Sequence, residues 1–434
     1  MSSVSILEAL VLKLENEKVI YEEINRKFLL NAKEIRDQYK IGLDINKFLD
    51  EVHKLSEEEK DIIEEKYKEF INKKINDTET FEDIFYLDLD SVRETKIRYG
   101  IRISKDLDLH LPQNAVSKMF QINQGLKTVG ERAIVSVVQY FEEFFSSLLN
   151  SLIQSKPEAY FCNKSIEYKD LMKSSIEEIK KQLLENEVSN LMYSVKDTIE
   201  KIDKIHKLHL ENYSDLINQY IEIDMHRNII VHNKGCVNAA YNINVAEIYK
   251  KKEGQYIKCD KELINEAITG IIKFSYLLCY LIWKNERELD VLETVAFKFL
   301  CDEKWELAKF AHELLYKIPD IKNDRRLNYR INYLNAVKHI EGLDKTINEI
   351  EKFDTSGMEE IFYIAKQLLL ENNSEVLNCI EHVYPRVFNA YTIIKWPIFI
   401  EFRKTKEFQL FINKHQYDFE EYNFDTQSNT KQDN

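Results

Sequence analysis

Residues 131–153 have the sequence ERAIVSVVQYFEEFFSSLLNSLI, in which apolar side chains recur every three or four positions. The residues that form this stripe are Ile134, Val138, Phe141, Phe145, Leu148 and Leu152. This spacing predicts an amphipathic helix with one wide buried face. Polar helical segments follow it, and a second apolar stretch covers residues 267–283. Together these segments predict a bundle of about four main helices over residues 123–290.

The composition favours helices along the rest of the chain. The 434 residues include only 9 Gly and 5 Pro, too few turn formers for a many-stranded sheet, so we predict an all-α fold. A formal net charge of −14 excludes a protein that binds duplex nucleic acid through a broad basic surface. It leaves room for a small basic pocket that handles one RNA strand. The six cysteines form no CxxC pair, which predicts reduced thiols, mostly in the core of a cytoplasmic protein.

No segment is predicted to direct the chain into a membrane. The N-terminus, MSSVSILEALVLKLENEK, lacks a basic start and carries charges every few residues, unlike a signal peptide. The apolar stretch 267–283 contains Lys273 and several small or polar residues, and we expect it to fall short of a membrane span. It is predicted to be a buried helix.

The pattern divides the chain into zones on either side of the bundle. Residues 1–122 are highly charged and helical in pattern, and we predict an accessory region there. Ser56 and Glu59 form a capping box within it, and residues 95–104 alternate like a short strand or hairpin. The polar tail, residues 421–434, is predicted to be disordered.

Residues 291–420 are predicted to form helical hairpins arranged as in an α-solenoid. The segments 305–320, 342–354 and 374–386 are the expected second helices of three successive pairs. The first, WELAKFAHELLYKIPD, resembles the second helix of a tetratricopeptide repeat, with its proline displaced by one residue. Such arrays present a concave surface, so we expect a regulatory protein or a trigger to bind there.

The residues with the strongest chemical signal are MHRNIIVHNKG, at positions 225–235. Ser214 is predicted to be the N-cap of a helix that reaches about Asn233, and Gly235 to end it in a left-handed conformation. His232 then lies in the last helical turn, where the helix dipole favours a positive imidazolium suited to acid–base chemistry.

Other side chains of this helix are predicted to support His232. Asn228 lies one turn before it and can orient its ring, and Asp224 lies one turn before Asn228. Arg227 points about 140° around the helix from His232. To act on one phosphate, the arginine must curl around, the helix must distort, or the histidine must come from a second subunit.

The string R-N-x-x-V-H-N-x-G at the end of an amphipathic helix resembles the signature of HEPN ribonuclease domains, above all bacterial and phage-defence groups. The resemblance covers about 165 residues of the middle zone. It implies a homodimer formed through this domain and metal-independent cleavage of RNA, without a cofactor. The RNA 2′-OH would attack its own phosphate and leave a 2′,3′-cyclic phosphate. It further implies a toxin or an antiviral abortive-infection effector.

The same resemblance implies a role for each residue of the motif. His232 would be the base or acid, and Arg227 would clamp the phosphate with its planar fork. Asn228 would orient the His232 ring, and Asn233 would contact phosphate or cap the helix. Glu142 would be the acidic residue that related domains often carry on their first helix. Regulation by a nucleotidyltransferase is put in doubt by Lys234, because that position is commonly tyrosine in toxins controlled in this way.

Other interpretations remain open from the sequence. Arg227 and His232 could belong to an ion-pair cluster in a non-catalytic adaptor that binds a partner protein or RNA. Glu142 could be a solvated side chain, and we expect His226 to lie on the surface. A metal-dependent hydrolase could use Asp203, His206 and His209, although their helical face is more typical of solvated residues and we predict no metal.

Overall fold

The structure is a computed structural model. It describes residues 3–38, 113–162, 164–166, 169, 172, 174–283 and 289–420. The capping box at Ser56, the expected strand at 95–104 and the predicted disordered tail at 421–434 lie outside these residues.

The fold is all-α, as predicted. Within the described ranges, the only extended pairing is an isolated antiparallel bridge between Cys236 and Tyr256. The helices, numbered over the described residues, are α1 (Ser3–Gln38), α2 (Gln113–Ser155), α3 (Pro157–Phe161), α4 (Ile176–Met192), α5 (Val195–His206), α6 (Ser214–His232), α7 (Ala239–Asn244), α8 (Lys261–Trp283), α9 (Leu289–Cys301), α10 (Trp305–Tyr316), α11 (Asn323–Glu341), α12 (Leu343–Glu351), α13 (Glu360–Leu369), α14 (Asn373–Val383), α15 (Ala390–Lys395), α16 (Lys406–Lys414) and α17 (Gln416–Glu420). Short 3-10 turns cover Leu210–Tyr213, Glu247–Tyr249, Pro397–Phe399 and Phe402–Lys404.

The chain forms two compact units. The motif unit comprises Ala9–Thr198 and Leu210–Ile271, and the C-terminal unit comprises Met1–Glu8, Ile199–His209 and Ile272–Asn434. These divisions differ from the predicted zones. The expected boundary at 122/123 falls inside α2, and the later division falls inside α8 rather than at 290/291.

The motif unit is built on α2, whose predicted stripe is buried at every position. Phe141 stacks on Phe145 with ring centroids 5.5 Å apart, and it meets Tyr220 of α6 at 4.4 Å. These aromatic contacts join α2 to α6, the helix that carries the motif. Burial of such large side chains supplies much of the packing energy in a helical core.

The C-terminal unit contains three successive helix pairs. They are α9 with α10, α11 with α12, and α13 with α14, and the second helix of each pair matches a predicted segment. The core beneath α11 to α17 is rich in phenylalanine and isoleucine, and its fully buried members include Ile331, Ile350, Phe388, Phe399, Phe408 and Phe411.

Two expectations about apolar residues need correction. Helix α8 is long and apolar enough to cross a membrane by length and composition, although we expected it to fall short. As expected, it is mostly buried: 78% of its most apolar window lies inside the protein. The six cysteines are free thiols, but only Cys259 and Cys279 lie in the core, because the others are exposed or half-buried.

Candidate functional site

Helix α6 carries the motif and begins one residue earlier than predicted. Tyr213, not Ser214, occupies the N-cap position, and no side chain caps the helix there. The residues that α6 buries are Tyr220, Ile223, His226 and Ile229, which recur at intervals of three. The motif residues between and after them therefore lie off the buried stripe.

A tight turn ends α6 directly after His232. Asn233 is the C-cap residue, and its backbone N–H donates to the Ile229 carbonyl at 2.8 Å. Lys234 and Gly235 both adopt positive φ, +53° and +78°, and Gly235 N–H also donates to that carbonyl, at 2.9 Å. Gly235 adopts the left-handed conformation predicted for it, and Lys234, the residue before it, adopts this conformation as well. The Asn233 side chain donates to the Cys236 carbonyl at 2.7 Å, so in this structure it closes the turn.

An aromatic clamp holds the turn against α2. Tyr256 lies over Gly235 and donates its hydroxyl to Glu131 at 3.1 Å, while Lys127 lies 4.2 Å above the Tyr256 ring. Ile257 N–H donates to the Gly235 carbonyl at 2.9 Å. The segment 253–260 therefore pairs with the residues after the motif.

We expect Gly235→Ala to destabilise the protein more than Gly254→Ala. Both glycines have positive φ, which costs alanine about 1–2 kcal/mol. A Cβ at Gly235 would also lie 2.7 Å from the Tyr256 ring, whereas a Cβ at Gly254 would meet nothing within 4 Å. Overpacking adds about 1–3 kcal/mol at the first position only. Denaturant unfolding of both variants measures the difference, and equal losses would contradict the described clamp.

Arg227 forms the charged centre of the site. Its Nη2 donates to Glu142 Oε1 of α2 at 2.6 Å and to Asp224 Oδ1 at 2.9 Å. Its Nε is buried and finds no hydrogen-bond partner within the described part of the chain. The side chain remains 26% exposed, so the guanidinium reaches solvent while two carboxylates hold it.

The structure removes one alternative for Glu142. This side chain is half-buried and paired with Arg227 rather than simply solvated. Burial raises the pKa of the Glu142 carboxyl, Arg227 opposes that rise, and the Asp224 carboxylate adds to it. A carboxyl with these neighbours is sensitive to any change in the position of Arg227.

Asn228 and Asp224 join the Arg227 cluster. The Asn228 side-chain amide donates to Asp224 Oδ2 at 3.4 Å and to the Met225 sulfur at 3.7 Å. We expected Asn228 to orient the His232 ring, but in this structure its amide donates to Asp224 and Met225 instead. His232 itself is exposed at the end of α6. The structure thus brings Arg227, Glu142, Asp224 and Asn228 together and leaves His232 and Asn233 at the helix end.

His226 corrects a second expectation, because it is buried rather than on the surface. Only 1% of the residue is exposed, and its Nε2 lies 3.2 Å from the Tyr241 hydroxyl and 3.5 Å from Glu222 Oε1. Burial, reinforced by the cation of Lys251, lowers the pKa of His226 to about 3. The sequence carried the signal, since His226 falls three residues from both Ile223 and Ile229 on one helical face.

The metal hypothesis finds no support in the geometry. Over the residues that the structure describes, no three His, Cys, Asp or Glu side chains converge as metal ligands would. Asp203, His206 and His209 are among the residues described, so they do not form such a cluster.

No known protein-family model, curated protein or solved structure matches this chain.

Proposed function

We propose that the protein is a metal-independent endoribonuclease of the HEPN type, with Arg227 and His232 as its catalytic residues. In the reaction, a base removes the proton of the RNA 2′-OH, and the 2′ oxygen forms a bond to the adjacent phosphorus. The bond from phosphorus to the 5′ oxygen breaks, and an acid protonates that oxygen. The products are a 2′,3′-cyclic phosphate and a 5′-OH, and the 2′-OH requirement restricts the substrate to RNA.

The observation that carries the proposal is the direction of the motif on α6. The helix buries the face through Ile223, His226 and Ile229, whereas Arg227 is partly exposed and His232 is exposed. A histidine and an arginine that belonged to the core would face the other way. A solvent-facing imidazole can exchange protons with a substrate, and a solvent-facing guanidinium can bind a phosphate.

The geometry of a single chain favours a dimeric site. Arg227 and His232 lie five residues apart, roughly 7.5 Å along the helix axis and about 140° around it. The Arg227 guanidinium is turned toward Glu142 and Asp224. In a homodimer formed through α6, the arginine of one subunit would lie beside the histidine of its partner, and the two His232 side chains would share the acid and base roles. A dimer is part of the proposal for this reason.

The biological setting is proposed on the resemblance alone. The activity would serve as a toxin or phage-defence effector in the cytoplasm. The helix pairs of the C-terminal unit would bind the protein or trigger that restrains it.

One observation favours a second candidate, a non-catalytic adaptor. The charge of Arg227 is already compensated by Glu142 and Asp224, as in a structural ion-pair cluster. A phosphate would have to compete with these carboxylates. The adaptor would use the same α6 surface to bind a partner protein or RNA without cleaving it.

Substitution of Arg227 separates the two candidates. We expect Arg227→Ala to lower the rate of RNA cleavage in EDTA by about 10²–10³-fold, because the cation that stabilises the phosphorane is lost. Arg227→Lys should lose part of this rate, since an ammonium cannot bind the phosphate bidentately. The measurement is the initial rate of cleavage of a labelled single-stranded RNA.

The matched control is Arg132→Ala, which removes an exposed arginine of α2. It should leave the cleavage rate near that of the wild type. Circular dichroism must show that each variant is folded, because Arg227→Ala leaves two half-buried carboxylates without their cation. Cleavage that persists in folded Arg227→Ala contradicts the catalytic role, and no cleavage by any protein, wild type included, supports the adaptor.

A further inference from the structure

The turn after α6 places a lysine in a left-handed backbone conformation beside His232. Lys234 has φ +53° although it is not a glycine, and the next residue, Gly235, is also left-handed. Left-handed backbone is unfavourable for most side chains, but helices commonly end with one residue in this conformation, and five other non-glycine residues among those described also have positive φ. Glycine at position 234 would adopt the same turn without this strain.

Lys234 is exposed, and it forms no ion pair with any residue that the structure describes. One carboxylate beside the turn belongs to Glu131, which already accepts the Tyr256 hydroxyl at 3.1 Å and lies 3.6 Å from Lys127. In a chain with 75 acidic and 61 basic residues, Lys234 places a positive charge two residues from the exposed His232.

The position of this cation is tied to that of His232. Two residues separate their backbones by at most about 7 Å, and the Lys234 side chain adds its own reach. The turn itself is held rigidly, because Gly235 and Asn233 share the Ile229 carbonyl and Tyr256 covers Gly235. A lysine ammonium is a compact point charge that binds phosphate oxygens well.

From these observations we infer that Lys234 is a substrate-binding residue, which contacts an RNA phosphate next to the one that reacts at His232. This inference rests on the proposed function and deepens it, because it assigns single-stranded RNA backbone to the surface of the post-helix turn. Lys234 contributes affinity for RNA rather than proton transfer.

The test uses Lys234→Gly, which separates binding from folding. Glycine relieves the left-handed strain, so we expect the melting temperature to rise by about 2–4 °C. RNA affinity should nevertheless fall, on the order of fivefold, because one phosphate contact is lost. The slope of log affinity against log salt should become shallower by about 0.7. Binding is measured by fluorescence anisotropy of a labelled single-stranded RNA in the full chain carrying His232→Ala, which prevents cleavage.

Lys207→Gly in the same His232→Ala chain is the matched control. Lys207 follows the C-terminal His206 of α5, is exposed and has φ +54°, so the variant removes the same charge from the same conformation. It should gain stability and keep its RNA affinity. Equal affinities of the two variants, or no RNA binding by the parent, overturn the inference.

A separate cleavage assay of the wild type distinguishes a failure of the Lys234 inference from a failure of the nuclease proposal. If the wild type cleaves RNA but Lys234→Gly binds it normally, only the role of Lys234 is wrong. If binding depends on Lys234 and the wild type cleaves nothing, only the nuclease proposal is wrong.

Discussion

His232→Ala should lower the rate of RNA cleavage by about 10²–10⁴-fold, which is the usual contribution of a positioned acid or base. The protein should remain as stable as the wild type, because His232 is exposed at the end of α6 and removing its side chain opens no cavity. The rate is measured with labelled RNA in the presence of EDTA, and the stability is measured by thermal unfolding.

His382→Ala is a close control for this substitution. His382 is also exposed and also lies in the last turn of a helix, α14. Its replacement should change neither cleavage nor stability. If His232→Ala and His382→Ala cleave equally well, the imidazole of the motif takes no part in the reaction.

Phe141→Ala should produce the largest loss of stability, about 3–5 kcal/mol of unfolding free energy. The ring is fully buried and joins α2 to α6 through contacts with Phe145 and Tyr220. Its removal leaves a cavity between α2 and α6, the two helices whose side chains Glu142 and Arg227 form an ion pair. Chemical denaturation, followed by a probe in the motif unit, measures the loss.

Tyr193→Ala is the control for Phe141→Ala, because it removes an aromatic ring of similar size from an exposed position. The Tyr193 residue lies in the same unit and is 95% exposed, so its removal should change the unfolding free energy by about 0.5 kcal/mol or less. A loss below about 1 kcal/mol for Phe141→Ala would mean that the aromatic contact does not hold the two helices together.

Much of the fold could be predicted because helices leave a local signal. The α2 stripe is periodic over more than five turns, and each of its predicted core positions is buried. The second helices of the C-terminal pairs were recognised in the same way. Element ends were predicted less well. Ser214 has the side chain of an N-cap, but the preceding 3-10 turn, Leu210–Tyr213, places Tyr213 at that position.

The site was harder to predict because its contacts link distant parts of the chain. Glu142 and Arg227 are 85 residues apart, and no local pattern distinguishes this pair from two solvated charges. His226 was misassigned for another reason. A polar residue beside a motif suggests a surface position, but its partners Tyr241 and Lys251 come from later segments that cover the helix. The role of the motif itself stays a prediction that only chemistry can test.

We propose that this chain cleaves RNA without a metal, through attack by the 2′-OH. The most direct test of this proposal is the chemical identity of the RNA ends that the wild-type protein produces in EDTA, determined by mass spectrometry. A 2′,3′-cyclic phosphate on one fragment and a 5′-OH on the other is the predicted result. A 3′-OH with a 5′-phosphate, or cleavage that EDTA abolishes, would contradict it.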